Sequence, residues 1–143
     1  MRYSALVLVL LLVTGCKVNK TPAVQTRLEA AAASGATSFD FAGDPSFEWD
    51  RMFVFDCYTS QTDVESALGF KWSGYKKTSI SSSDSVVLVV FVKSQQVATW
   101  YEQPRHIELG GLANGSGYDR ADTTFAIDRS GGRPTLLPHP AAP

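Results

Sequence analysis

The sequence predicts an α+β domain: an antiparallel sheet of four to five strands with a short helix packed on one face. Three observations carry this. Residues 86–92, VVLVVFV, form an unbroken, mostly β-branched run that suits a central strand covered on both sides. Lys93-Ser94-Gln95-Gln96 then turns the chain, and Val97 to Glu102 returns as a partner strand. Upstream of this hairpin, SQTDVESALG at residues 60–69 has helical periodicity with a start and a stop signal.

The chain opens with a different kind of segment. Arg2 precedes an apolar run from Ala5 to Val13, which has the length of a signal-peptide core. It falls well short of the ~20 residues a membrane-spanning helix needs. The run closes in Val13-Thr14-Gly15-Cys16. A small residue at Gly15 admits a peptidase to the backbone, and the Cys16 thiol is a nucleophile able to accept a diacylglycerol. This leader resembles the bacterial lipobox. The resemblance implies cleavage after residue 15, lipidation of Cys16 and acylation of the new N-terminus with chains such as palmitate. One acyl chain holds a protein marginally and two or more hold it stably. Lys17, where an Asp would favour retention in the inner membrane, implies an outer-membrane anchor with the domain in the periplasm.

Residues 17–24 read as a polar tether. Ala23 to Ala33 is alanine-rich, with Val24 and Leu28 as an i,i+4 apolar pair, and reads either as a helix ending at Ser34-Gly35 or as a flexible spacer. We therefore place tether and helix at 16–36, the folded domain at 37–129 and a disordered Pro-rich tail at 130–143. In SFDFAG, residues 38–43, Phe39 and Phe41 alternate with polar neighbours, the period of a half-buried strand. Asp44-Pro45-Ser46 is turn chemistry, and Met52 to Phe55 reads as a strand buried on both faces. In the 60–69 helix Ser60 serves as N-cap, Asp63 sits in the first turn, Val64, Ala67 and Leu68 form the apolar stripe, and Gly69 stops it. Residues 73–85 and GGLANGSG at 110–117 read as loops, and Thr123 to Asp128 as a last strand.

The full chain has 13 basic and 14 acidic residues, and loss of Arg2 with the leader makes the mature form one unit more negative. No basic block is present, which argues against a nucleic-acid partner. With Cys16 held in a thioether, Cys57 is a lone thiol in an oxidising compartment. It reads as a small buried hydrophobe, with an intermolecular disulfide or a reactive thiol as alternatives.

Catalytic patterns are thin. Ser116 lies between glycines but outside a G-x-S-x-G elbow, and a Ser116–His106–Asp119 group has only its residue types in its favour. Asp119, Asp122 and Asp128 are scattered and lack metal-ligand spacing, so no metal and no cofactor is expected. Glu48 and Asp50 flank Trp49 and would share one face of an extended segment, able to bind a cation or a sugar. The plainer reading puts Trp49 in the core and lets Asp50 order the entry to the strand. Trp100, Tyr101, Glu102 and Arg105 end the second hairpin strand, with Tyr101 on the face opposite Trp100 and Glu102. They either mark a binding patch or close a core edge.

Trp49-Asp50, Tyr58-Thr59, Ala67-Leu68-Gly69, Val87 to Val92 and Glu102-Gln103-Pro104-Arg105 together resemble a group of small uncharacterised bacterial envelope proteins, many with lipoprotein leaders. The likeness covers about residues 47–105 and implies the order strand, helix, strand, hairpin; no activity comes with it. The expected function is thus a membrane-tethered, non-enzymatic accessory or binding module of the cell envelope, with an envelope protein as partner and Trp49, Asp50, Tyr58 and Arg105 as its binding residues. The alternatives are a small envelope hydrolase using Asp50 or Glu48, and an inhibitor of an envelope enzyme that inserts loop 110–118.

Overall fold

The computed structural model describes residues 22–139. The expected signal peptide, Cys16, the expected tether up to residue 21 and the last four residues lie outside the described range. The elements in chain order are α1 (Ala23–Ser34), β1 (Ser38–Asp40), β2 (Arg51–Phe55), α2 (Gln61–Leu68), β3 (Val86–Lys93), β4 (Gln96–Pro104), β5 (Tyr118–Asp119), β6 (Thr124–Asp128) and β7 (Thr135–Pro138). The mixed α+β class holds, but the strands form two antiparallel sheets instead of one: β4-β3-β2-β5 and β1-β6-β7.

The reason lies in the apolar runs themselves. β2 and β3 are apolar on both faces, and one eight-residue helix cannot cover both. The register sorts them: Met52 pairs with Phe91 and Val54 with Val89 on one face, Phe53 with Val90 and Phe55 with Leu88 on the other. On the first face Met52, Val54, Val87, Val89, Phe91 and Tyr101 join Phe39, Phe125 and Leu136 of the second sheet, and Val24 and Leu28 of α1, in one buried cluster. On the second, Phe53, Phe55, Leu88, Val90 and Val92 join Val64 and Leu68 of α2, and Trp72 and Tyr75, in another. We call these the inner and outer clusters.

Local signals placed α2 where expected. The Ser60 hydroxyl accepts from the Asp63 N–H at 3.1 Å, and Gly69 ends the helix at φ +82° with its N–H on the Glu65 carbonyl. The hairpin also forms as expected. Its two-residue turn places Ser94 (φ +47°) and Gln95 (φ +61°) in the left-handed region, with Lys93 paired to Gln96.

Three expectations need correcting. The alanine-rich segment is a helix and part of the domain: Val24 and Leu28 are fully buried, and Arg129 donates to the Ala32 carbonyl in its last turn (3.0 Å) and to the Ala36 carbonyl just beyond it (2.7 Å). The stretch after residue 130 is no disordered tail as far as it is described, because β7 pairs with β6 and buries Leu136 completely. Thr124–Asp128 is consequently not the last strand. The 110–117 segment is likewise tied down. Leu112 is fully buried, Asn114 Oδ1 accepts from the N–H groups of Ser116 and Gly117, and a Cβ at Gly117 would stand 2.8 Å from the Met52 carbonyl and the Phe53 ring.

Candidate binding site

The residues of interest sit at opposite ends of β2, a strand of five residues, or about 17 Å. At its start, Asp50 fastens the hairpin turn. One carboxylate oxygen accepts from Lys93 Nζ at 3.0 Å and the other from the Ser94 N–H at 3.1 Å. The Lys93 bond, then the Ser94 N–H, hold the Asp50 carboxyl below its ordinary pKa. Asp50 therefore stays ionised, whereas a general acid needs the opposite environment. Glu48 is exposed.

The fastened turn forms one wall of a groove of about 260 Å³. Ser94 and Gln95 of that turn line it, as do Arg51 and Ser116. Ala67 and Leu68 at the end of α2, Phe70 just after it, Phe53 and Val92 supply its apolar lining. Arg51 is held there by the Ser116 carbonyl (2.6 Å), by Asp119 (3.7 Å) and by the Phe53 ring, whose centroid lies 5.5 Å from its guanidinium carbon. Gly117 lets the 114–117 turn close down on Phe53, since any side chain there would strike it. The result is an apolar floor within a rim of amide, hydroxyl, guanidinium and carboxylate groups. On the far side of Phe70 a larger hollow of about 490 Å³ opens between Thr62, Glu65 and Lys71. That hollow is bounded only by α2 and the residues that follow it, whereas the groove gathers four separate segments.

At the other end of β2 lies an ion-pair network. Arg105 contacts Asp56 at 2.8 Å and Glu108 at 3.0 Å, Arg133 contacts Glu108 at 3.1 Å, and Glu108 accepts the Gly110 N–H at 2.7 Å. Gly110 leaves room for these carboxylates, since a Cβ there would stand 2.9 Å from a Glu108 oxygen and 3.2 Å from Asp56. Tyr58 projects beside this network, 60% exposed and at φ +63°.

The four residues expected to bind therefore do not form one patch. Trp49 is buried edge-to-face on Phe91 at 5.0 Å, with the Arg120 guanidinium 5.2 Å from its ring centroid, and it offers no free face. Asp50 stands at the groove, while Tyr58 and Arg105 stand at the far end, with Arg105 engaged by two carboxylates. Trp100 closes a core edge against Trp72 at 5.8 Å, Tyr101 is buried on the other face, and Glu102 accepts from Ser79. Cys57 is a half-buried free thiol rather than a core residue, since the chain leaves the strand at Asp56.

Ser116, His106 and Asp119 have separate partners: the Asn114 carbonyl (3.5 Å), Glu29 (2.8 Å) and Arg51 (3.7 Å). Among the described residues no group of three or more His, Cys, Asp or Glu side chains is placed to hold a metal ion. Sequence reasoning missed Arg51, Phe70, Ser94 and Gln95, and raised Ser116 only as a nucleophile, not as a groove residue. One signal was available: a two-residue hairpin turn without glycine or asparagine puts side chains where the backbone disfavours them. Comparison with protein-family models, curated proteins and solved structures finds no match.

Proposed function

We propose that this protein is a lipid-anchored, non-enzymatic binding module of the bacterial envelope, attached at Cys16 to the outer membrane and facing the periplasm, and that it engages an envelope partner through the groove beside Asp50. We read α2 as packed on the outer face of the four-stranded sheet, where its C-terminal end supplies one groove wall. The lipobox leader supports the anchor, and so does the likeness of residues 47–105 to small envelope lipoproteins. The observation that carries the binding role is the turn at Ser94 and Gln95. Each non-glycine residue in the left-handed region costs roughly 1–2 kcal/mol, yet both positions bear side chains and both line the groove. Strain of this kind collects at recognition sites.

The test is photo-crosslinking in the native envelope, with the crosslinker introduced at Gln95 or Phe70 and, as control, at exposed Ser130. A discrete adduct from the two groove positions and none from Ser130 is the expected result. Equal yields from all three, or none, would remove the groove from the account.

A further inference from the structure

We infer that the flank of the domain carrying Lys76 and Lys77 lies against the membrane and contacts its anionic headgroups; this rests on the reading that Cys16 is lipidated. The length of free chain is the first argument. Because Val24 and Leu28 are core residues, α1 cannot act as a spacer, and only residues 17–22 separate Cys16 from the fold. Six residues span at most about 20 Å fully extended. The flank from which α1 starts must therefore face the bilayer closely.

Contacts identify that flank. Gln25, in the first turn of α1, donates to the Glu102 carbonyl on the edge of β4 at 3.4 Å. The Glu102 carboxylate accepts from the Ser79 N–H at 2.6 Å and the Ser79 hydroxyl at 3.0 Å. Ser79 stands two residues after Lys77, so the start of α1 and the segment carrying the lysine pair both meet β4 at Glu102, one on its backbone carbonyl and the other on its carboxylate.

Charge is the second argument. Lys76 and Lys77 are exposed at the end of a short 3₁₀ turn, Ser73–Lys77, and neither makes an ion pair among the described residues. Lys71 and Lys93, in contrast, pair with Glu65 and Asp50 at 3.0 Å each. Of the nearby carboxylates, Glu102 is committed to Ser79 and Asp84 accepts from the Ser85 hydroxyl. The tether sequence adds Lys17 and Lys20 between the anchor and the domain. A lysine near an anionic bilayer adds roughly fivefold to local membrane affinity. The groove lies toward the other end of β4, about 20 Å from Glu102 by strand rise, and this orientation leaves it open to the periplasm.

The test uses the full lipidated protein in vesicles with and without phosphatidylglycerol, with amine-reactive labelling read lysine by lysine. Lys76 and Lys77 should be protected several-fold on the anionic vesicles relative to detergent, with Lys93 unchanged and little protection on phosphatidylcholine alone. Equal labelling of all lysines on anionic vesicles would overturn the orientation. Equal protection on both vesicle types would overturn the headgroup contact. Failure of the anchor itself reads out separately: the protein does not float with vesicles and its mass lacks acyl chains, and both readings then fall.

Discussion

The inner and outer clusters use the same sheet in different ways. The outer cluster is apolar, and among the described residues none of its fully buried side-chain polar atoms lacks a partner. Tyr75 Oη donates to the Thr59 carbonyl at 2.6 Å, and Glu65, within α2, accepts from the Trp72 N–H and the Gln61 amide at 2.9 Å each. The inner side is richer in aromatic rings, with Phe91 touching Phe41, Phe47, Trp49 and Tyr101. It also holds every buried side-chain atom that lacks a protein partner among the described residues: Arg27 Nη1, Asp44 Oδ2, Trp49 Nε1, Tyr101 Oη and Gln103 Oε1. Gln103 shows how this arises. Its amide nitrogen lies between two acceptors, Glu29 at 2.9 Å and the Pro104 carbonyl at 3.3 Å, so the amide cannot flip to satisfy its oxygen. Burial, and then the charge of Glu29, push the Tyr101 phenol well above its ordinary pKa. The outer cluster is assembled from segments near in sequence whose local chemistry closes on itself. The inner one joins α1 and the second sheet across long separations and accepts polar mismatch in doing so.

Mutations sharpen the contrast. Phe91→Ala should cost about 4 kcal/mol and Leu88→Ala, at a fully buried outer position, about 3 kcal/mol in chemical denaturation. A Phe91 variant no worse than the Leu88 one would deny the aromatic centre its role. Replacing Ser94-Gln95 by Asn-Gly should raise stability by about 1–2 kcal/mol through relief of the left-handed strain, while weakening crosslinking to the groove partner. The same tyrosine-to-phenylalanine change should act oppositely on the two sides. Tyr75→Phe removes a made hydrogen bond and should cost about 1 kcal/mol, whereas Tyr101→Phe removes an unpaired hydroxyl and should be neutral or stabilising.

The last effect is one of pH. The Gln61 amide, the Trp72 N–H and Lys71 pull the Glu65 carboxyl from an ordinary value of 4.5 to about 2. A depressed folded pKa gives stability that is present above 4.5 and lost as pH falls toward 2. Wild type should therefore lose Tm on acidification across that window, and Glu65→Gln should flatten the slope.

Much of the fold was legible where its chemistry is local. Ser60, Asp63 and Gly69 mark both ends of α2, and the β-branched run of β3 declares a strand covered on both faces. The two-sided burial of β2 and β3 already implied a second covering layer. That layer is built from β1, β6 and β7, which are three to five residues long and paired across the chain, and so leave little local periodicity. Leu136 hides among prolines and glycines that look disordered by composition. The groove was legible only as two unconnected residues, Asp50 and Ser116, because its walls come from a strand, a helix end and two turns that meet only in the folded state.

The α1 side of the molecule carries the tether, so the account is tested most directly at the N-terminus of the mature protein. Mass spectrometry of the envelope-extracted chain should find Cys16 as the first residue, bearing a diacylglycerol thioether and an N-acyl chain. A mature protein that keeps residues 1–15, or that begins elsewhere with an unmodified Cys16 thiol, would contradict it.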